Sequence, residues 1–109
     1  MTNTVLSIAR EFSPFPAGRK RTDGPYTGEK FRQDNLLPLL KKGVHVTLDI
    51  DGVEGLPSSF LEEIFGGLIR EGYTLDQLQT LIDFKATEPD LAMYPDIAWR
   101  FAAEAQNIH

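Results

Sequence analysis

Two adjacent serines, Ser58 and Ser59, stand between a loop containing Asp51, Glu54 and Pro57 and an apolar run that begins at Phe60. A serine at that spacing falls in the first turn of a helix, where backbone N–H groups lack partners and the helix dipole is positive. Its hydroxyl has two uses there. It caps the helix by accepting a backbone N–H, or it is presented as a phosphoacceptor, because such a helix start receives a phosphate well. A phosphate adds about −1.5 to −2 charge, and Asp49, Asp51 and Glu54 just upstream would repel it, so the position is sensitive to modification. Asp49 and Asp51 are also spaced as two oxygen ligands for a cation such as Mg²⁺, but no third ligand accompanies them. His45 falls on the polar side of the same stretch and His109 ends the chain. Neither has the spacing to a nucleophile or to further ligands that catalysis or metal binding needs. The absence of cysteine removes thiol nucleophiles, thiolate metal sites and disulfides. Gly52-Val53-Glu54-Gly55 lacks both the lysine of a P-loop and the spacing of a dinucleotide fingerprint. The expectation is a protein without catalytic residues, metal or cofactor.

The elements that must position these residues are legible from periodicity. Thr4 to Ala9 is β-branched and apolar and reads as a first strand. Phe12 to Pro25, with its prolines, glycines and the triplet Arg19-Lys20-Arg21, reads as a long loop with room for a short edge strand. Thr27 is placed to cap a helix running to about Lys42, with Phe31, Leu36, Leu37 and Leu40 on its apolar side, a kink or a division into two short segments at Pro38, and a stop at Gly43. Val44 to Ile50 alternates apolar and polar residues and reads as a second strand with one face only partly covered. From Ser58 or Ser59 to Glu71, the stripe of Phe60, Leu61, Ile64, Phe65, Leu68 and Ile69 predicts an amphipathic helix that stops at Gly72. Gly66 and Gly67 lie off that stripe, where missing side chains let a partner or an intramolecular neighbour such as the final helix come close. Thr74 and Gln77 have capping-box spacing and suggest a short helical turn. Thr80 to Ala86 reads as a third strand. Pro89 or Pro95 opens a final helix with a core stripe of Tyr94, Ile97, Ala98, Phe101, Ala105 and Ile108, and with Trp99 off its centre. Strand, helix, strand, helix, strand, helix predicts an α/β fold: a small, mainly parallel or mixed sheet with helices packed on it.

The 109 residues are one domain's worth. The net charge of −5 is uneven. Residues 1–42 hold eight Lys and Arg against four Asp and Glu, hence +4, whereas residues 43–109 hold three against twelve, hence −9. A sequence pI near 4.9 argues against the broad basic face that duplex nucleic acid needs, and Tyr26, Tyr73 and Tyr94 are too scattered for a stacking platform. The triplet Arg19, Lys20 and Arg21 remains an alternative anion, nucleotide or nucleic-acid contact. No apolar run approaches the roughly 18 residues that span a bilayer. Met1 to Arg10 has no basic stretch followed by an apolar core. A cytoplasmic protein without membrane partners is expected.

The run Asp49-x-Asp51-x-Val53-x-x-Leu56-x-Ser58-Ser59, followed by an apolar helix, resembles the STAS domain of anti-sigma factor antagonists. The wider set, Gly28-Glu29-Lys30-Phe31-Arg32, Leu36-Leu37-Pro38-Leu39-Leu40 and Asp49 to Gly72, resembles the STAS-like family of unknown function over roughly residues 24–86. The resemblance implies a single STAS-like domain over residues 1–109 in a bacterial regulatory protein that binds a protein partner, a histidine-kinase-type ATPase. It also implies a serine switch. The family's Asp-Ser-Ser-Gly turn falls on Pro57-Ser58-Ser59-Phe60, which makes Ser59 the phosphoacceptor and Ser58 its neighbour. Pro57 stands where the family has Asp, and Phe60 where it has Gly. The partner surface so implied comprises Asp49, Asp51, Glu54, Ser58, Ser59, Gly66 and Gly67.

Overall fold

The computed structural model describes residues 2–108; His109 lies outside them. Three strands, β1 (Asn3–Ser7), β2 (His45–Asp49) and β3 (Ile82–Lys85), form one parallel sheet in the order β1-β2-β3. The register brings Leu6 beside Leu48 and Leu48 beside Phe84 on one face, and Val5 beside Thr47 and Thr47 beside Asp83 on the other. The first face holds the core, with Leu6, Val46, Leu48 and Ile82 all buried. The second is open enough that Val5 is 60% exposed. This is the unlike pair of faces that the alternation in β2 predicts. The protein thus has the expected α/β architecture, and every strand pair is parallel.

The first strand is shorter than its composition predicts. Ser7 accepts a hydrogen bond from Arg10 N and donates its own N–H to Glu11 Oε2 at 2.7 Å, so a helical turn, α1 (Ile8–Glu11), begins where β-branched residues favoured extension. The local cap outweighs the β propensity of Ile8, which is fully buried in the turn. The loop after α1 holds a 3₁₀ turn at Arg21–Asp23 and no strand.

Thr27 caps α2 (Gly28–Lys30) through Lys30 N, as its position predicts. The helical region that α2 opens runs on to Lys41 in unlike segments, and a new segment begins beside Pro38. The chain widens into a π-helical stretch, Phe31–Leu36, closed by Leu37 N donating to Arg32 O, and resumes as α3 (Leu37–Lys41). Pro38 then sits in the first turn of α3, where a missing N–H costs little. Gly43 ends the segment at φ 75°, a conformation glycine adopts without strain.

α4 (Ser58–Arg70) is the spine of the fold. It buries Phe60, Leu61, Ile64, Phe65 and Leu68 almost completely. The turn at Thr74 is a longer helix than expected, α5 (Leu75–Leu81), with the Thr74–Gln77 capping box in place. Thr80 and Leu81 belong to it, so β3 begins only at Ile82. A 3₁₀ turn at Pro89–Leu91 precedes α6 (Tyr94–Asn107), whose first turn contains Pro95. α6 faces the core with small residues, Ala98, Ala102 and Ala105, while Ile108, expected in its stripe, is 79% exposed. Alanines let α6 lie close to α4. Bulk comes from Tyr94, Ile97 and Phe101 of the expected stripe, which pack at the margin of the core, and from Trp99, whose ring stands 5.5 Å from Phe65 and from Phe84. Among the described residues no helix is long and apolar enough to cross a membrane.

Candidate functional site

The residues singled out by sequence fall into two places. Asp49 is the last residue of β2, and Asp51, Glu54, Ser58 and Ser59 follow it along the segment that leads into α4. Open α/β sheets offer ligand crevices at the C-terminal end of their strands. Gly66 and Gly67 are elsewhere on α4, with Gly67 about 12 Å from Ser59 along the helix axis at 1.5 Å per residue.

Ser58 and Ser59 do not cap α4. The N-cap position is Pro57, which has no side chain able to accept a hydrogen bond, and its carbonyl oxygen receives Leu61 N at 3.1 Å. The serines therefore occupy the first two helical positions, Ser58 exposed and Ser59 half-buried. Among the described residues neither hydroxyl caps the helix, and no acidic residue sits in the first turn. Phe60, the next residue, is fully buried and packs against Phe12 and Phe31 with ring centroids 6.2 and 6.1 Å apart. This packing explains why a large residue stands where the resemblance would have glycine.

Both aspartates accept hydrogen bonds from the backbone. Asp49 is 9% exposed; its Oδ1 accepts Asp51 N at 2.9 Å, and its Oδ2 lies 3.8 Å from Lys85 Nζ. Asp51 reaches across to the segment after β3. It accepts Thr87 N at 2.8 Å and Glu88 N at 3.1 Å on Oδ1, and the Thr87 hydroxyl at 2.7 Å on Oδ2. Glu88 returns the link by accepting Gly52 N at 2.8 Å. The Thr87 hydroxyl first, then the backbone N–H groups of Glu88 and Thr87 and the charge of Lys85, hold the Asp51 carboxyl below its ordinary value of 3.8. A folded-state value lowered in this way stabilises the protein fully above the ordinary aspartate range, and the effect is lost as pH falls through the lowered value. Asp51→Asn is therefore expected to lower the Tm at neutral pH by a few degrees. Its deficit against wild type should stay constant down to about pH 5 and shrink below about pH 4. Thermal melts across pH check this; a deficit that grows with acidification would refute the role.

Gly66 and Gly67 are buried, and the space they leave is filled from within the chain. A Cβ on Gly67 would come within 2.8 Å of Arg32 Cζ and 3.0 Å of Arg32 Cδ. At Gly66 the occupants are the ends of Glu62 and Arg70. At Gly67 the neighbour is thus a side chain from the π-helical stretch, and at Gly66 it is two side chains of α4 itself; at neither is it the final helix. Arg32 is itself only 6% exposed, and Nη1 donates to Glu63 O at 2.6 Å and Glu63 Oε2 at 2.7 Å, while Nε lies 3.4 Å from Glu71 Oε2. Local sequence pattern gives no sign of this pair, because charged residues are ordinarily placed at the surface. Gly67 is the available signal, since a missing side chain inside a packed helix leaves room for a long side chain from another element.

Two members of the basic triplet, Arg19 and Lys20, fold onto α4, and Arg21 folds onto the π-helical stretch. Arg19 pairs with Glu62, which also holds Arg70; Lys20 lies 3.5 Å from Glu63 and 3.9 Å from Glu29; Arg21 grips Asp34 at 2.6 Å. Partial burial raises the Glu62 carboxyl, but hydrogen bonds from Arg70 and Arg19 outweigh it and leave the group below its ordinary value. Each cation of the triplet therefore has a carboxylate of this chain beside it.

A family model described as the STAS-like domain of unknown function (DUF4325) matches residues 27–92. The chain belongs to this family. Among curated proteins and among solved structures, nothing matches it. The match runs from the capping Thr27 to Ala92, just after the Pro89–Leu91 turn. It thus includes the π-helical stretch, β2, α4 and β3 of this STAS-like domain, and with them Arg32, Glu63 and both serines.

Proposed function

We propose that this STAS-like domain is a regulatory binding module with no chemistry of its own, that it binds a histidine-kinase-type ATPase, and that phosphorylation of Ser59 switches the complex. The observation that carries the reading is the start of α4. Ser58 and Ser59 are released from capping because the Pro57 carbonyl begins the helix. A phosphoryl group on Ser59 would sit among the free N–H groups of the first turn and change the local charge by about −1.5 to −2. Supporting the absence of catalysis, His45 lies at the opposite end of β2 from the serines and pairs with Asp83 at 3.2 Å.

Ser59→Asp is the test. An acid in the first turn suits the helix dipole, so melting should be unchanged. Capture of an ATPase-domain protein from the native host by wild type, with at least about tenfold weaker binding by Ser59→Asp, supports the module and its switch; a tenfold change is 1.4 kcal/mol. Equal binding by both proteins removes the switch. Recovery of nucleic acid in place of a protein would transfer the reading to Arg19, Lys20 and Arg21.

A further inference from the structure

A depression that reaches Pro57, next to the serines, takes no part in the proposed switch. It is an open cleft of about 430 Å³ between the Phe12–Pro25 loop and the segment joining β2 to α4. Phe15, Pro16, Leu56, Pro57 and Tyr94 form it, with Glu54 at its edge.

Phe15 is the unusual member. It is 67% exposed, although burying a phenylalanine is strongly favourable. Its backbone is held in place. Phe15 N donates to Ser13 Oγ at 2.9 Å, Pro14 O accepts Glu54 N at 2.8 Å, and Ala17 N donates to Tyr26 O at 2.9 Å. Prolines 14 and 16 fix φ on either side. The segment is thus fastened to the floor of the cleft and to the far side of its own loop, with an aromatic ring left in water. A rigid exposed aromatic loses little freedom on being covered, which is the property of an interface anchor.

The electrostatics indicate what covers it. Glu54 also lines an adjoining depression, together with Glu88 and Asp90, and all three acids are exposed. No lysine or arginine lines either depression. Opposite charge on a partner would be attracted and like charge repelled. The family match ends at residue 92 and begins at residue 27. The floor of the cleft therefore lies inside the matched region, and its two aromatic walls, Phe15 and Tyr94, lie outside it.

We infer that this cleft docks an extended segment of a partner protein in which an apolar side chain is flanked by lysine or arginine. The apolar side chain lies between Phe15, Leu56 and Tyr94. The neighbouring cation lies at Glu54, with Glu88 and Asp90 beyond it. The inference rests on the reading of this domain as a binding module and names the chemistry of the partner segment; it does not require the serine switch.

The test uses the full chain and synthetic decapeptides with a central Leu, Phe or Trp, flanked by Lys and Arg in one set, by Ser in a second and by Asp and Glu in a third. Binding is measured by fluorescence anisotropy, and the site is mapped by amide chemical shifts. The basic-flanked set should bind, shift Gly55 and Leu56, and weaken as salt is raised. Phe15→Ala should weaken it by about tenfold or more, and Glu54→Lys should weaken only the basic-flanked set. Both side chains are exposed, and unchanged thermal melting shows that the variants are folded. Equal binding of the acidic-flanked set, shifts located elsewhere, no binding by any set, or indifference to Phe15→Ala would overturn the proposal. Self-association that is abolished by Phe15→Ala would also overturn it, in favour of a second copy of this chain. Peptide binding that persists while no ATPase is captured leaves the cleft standing and removes the proposed partner. Capture of the ATPase undiminished by Phe15→Ala does the reverse.

Discussion

Arg32→Ala is expected to destabilise the fold by about 3–5 kcal/mol, the cost of removing one partner from a buried ion pair. The side chains of Arg32 and Glu63 are only 8% and 4% exposed. With Arg32 gone, the Glu63 carboxylate keeps as its nearest cation Lys20, 3.5 Å away on a side chain that is 59% exposed. The Glu63 carbonyl also loses its 2.6 Å hydrogen bond. Replacing both partners together, Arg32→Met with Glu63→Met, should recover most of the loss, because a buried pair can be exchanged for apolar side chains of similar size at little cost. Gly67→Ala supplies the coupled measurement. It should be strongly destabilising in the wild type, where Arg32 occupies the space, and nearly neutral beside Arg32→Ala. Urea denaturation of the single and double variants reads the coupling. A loss below about 1 kcal/mol for Arg32→Ala, the level of an exposed pair, would refute the structural role.

Phe60→Gly places at the start of α4 the residue that STAS domains of anti-sigma factor antagonists carry there, and it is expected to be at least as damaging. Phe60 is fully buried and forms a three-ring cluster with Phe12 and Phe31, which themselves meet edge to face at 5.1 Å. Truncating a core phenylalanine costs about 3–5 kcal/mol, and glycine adds up to about 1 kcal/mol inside a helix. Phe60→Leu, which keeps most of the volume, should recover the larger part. Both variants are read by denaturation midpoint and slope. Near-wild-type stability for Phe60→Gly would mean that the ring cluster does not hold the helix start. The departure from the antagonist pattern at this position is therefore a packing requirement of this chain.

The parts of the fold governed by short-range signals are open to reading from sequence. The alternation of Val46, Leu48 and Ile50, the Thr27 and Thr74 caps, the Gly43 stop and the stripe from Phe60 to Ile69 all act within a few residues, and each lies where its local pattern places it. The features that escape such reading depend on particular partners. Ile8 leaves β1 because Glu11 and Arg10 bind back to Ser7. Arg32 finds Glu63 thirty-one residues away, and Arg19 finds Glu62 forty-three residues away. Charges read singly belong at the surface; only the tertiary fold brings their partners within reach. The candidate site divides in the same way. The serines can be placed at a helix start from spacing, but that Pro57 O begins the helix and frees their hydroxyls is a matter of one backbone hydrogen bond. Phe15 carries no periodic signal, since an aromatic between two prolines reads equally as buried or exposed.

The order β1-β2-β3 also determines how the protein can be made. Leu6 joins Leu48 and Leu48 joins Phe84, so each strand leaving the ribosome finds its neighbour already synthesised, and the sheet can grow in the direction of translation. α6 alone arrives after the sheet is complete, carrying Trp99 to close over Phe65 and Phe84. A chain lacking Tyr94–Asn107 would keep all three strands and lose the ring that lies against Phe65 and Phe84, so α6 is the element that covers an otherwise sticky aromatic surface.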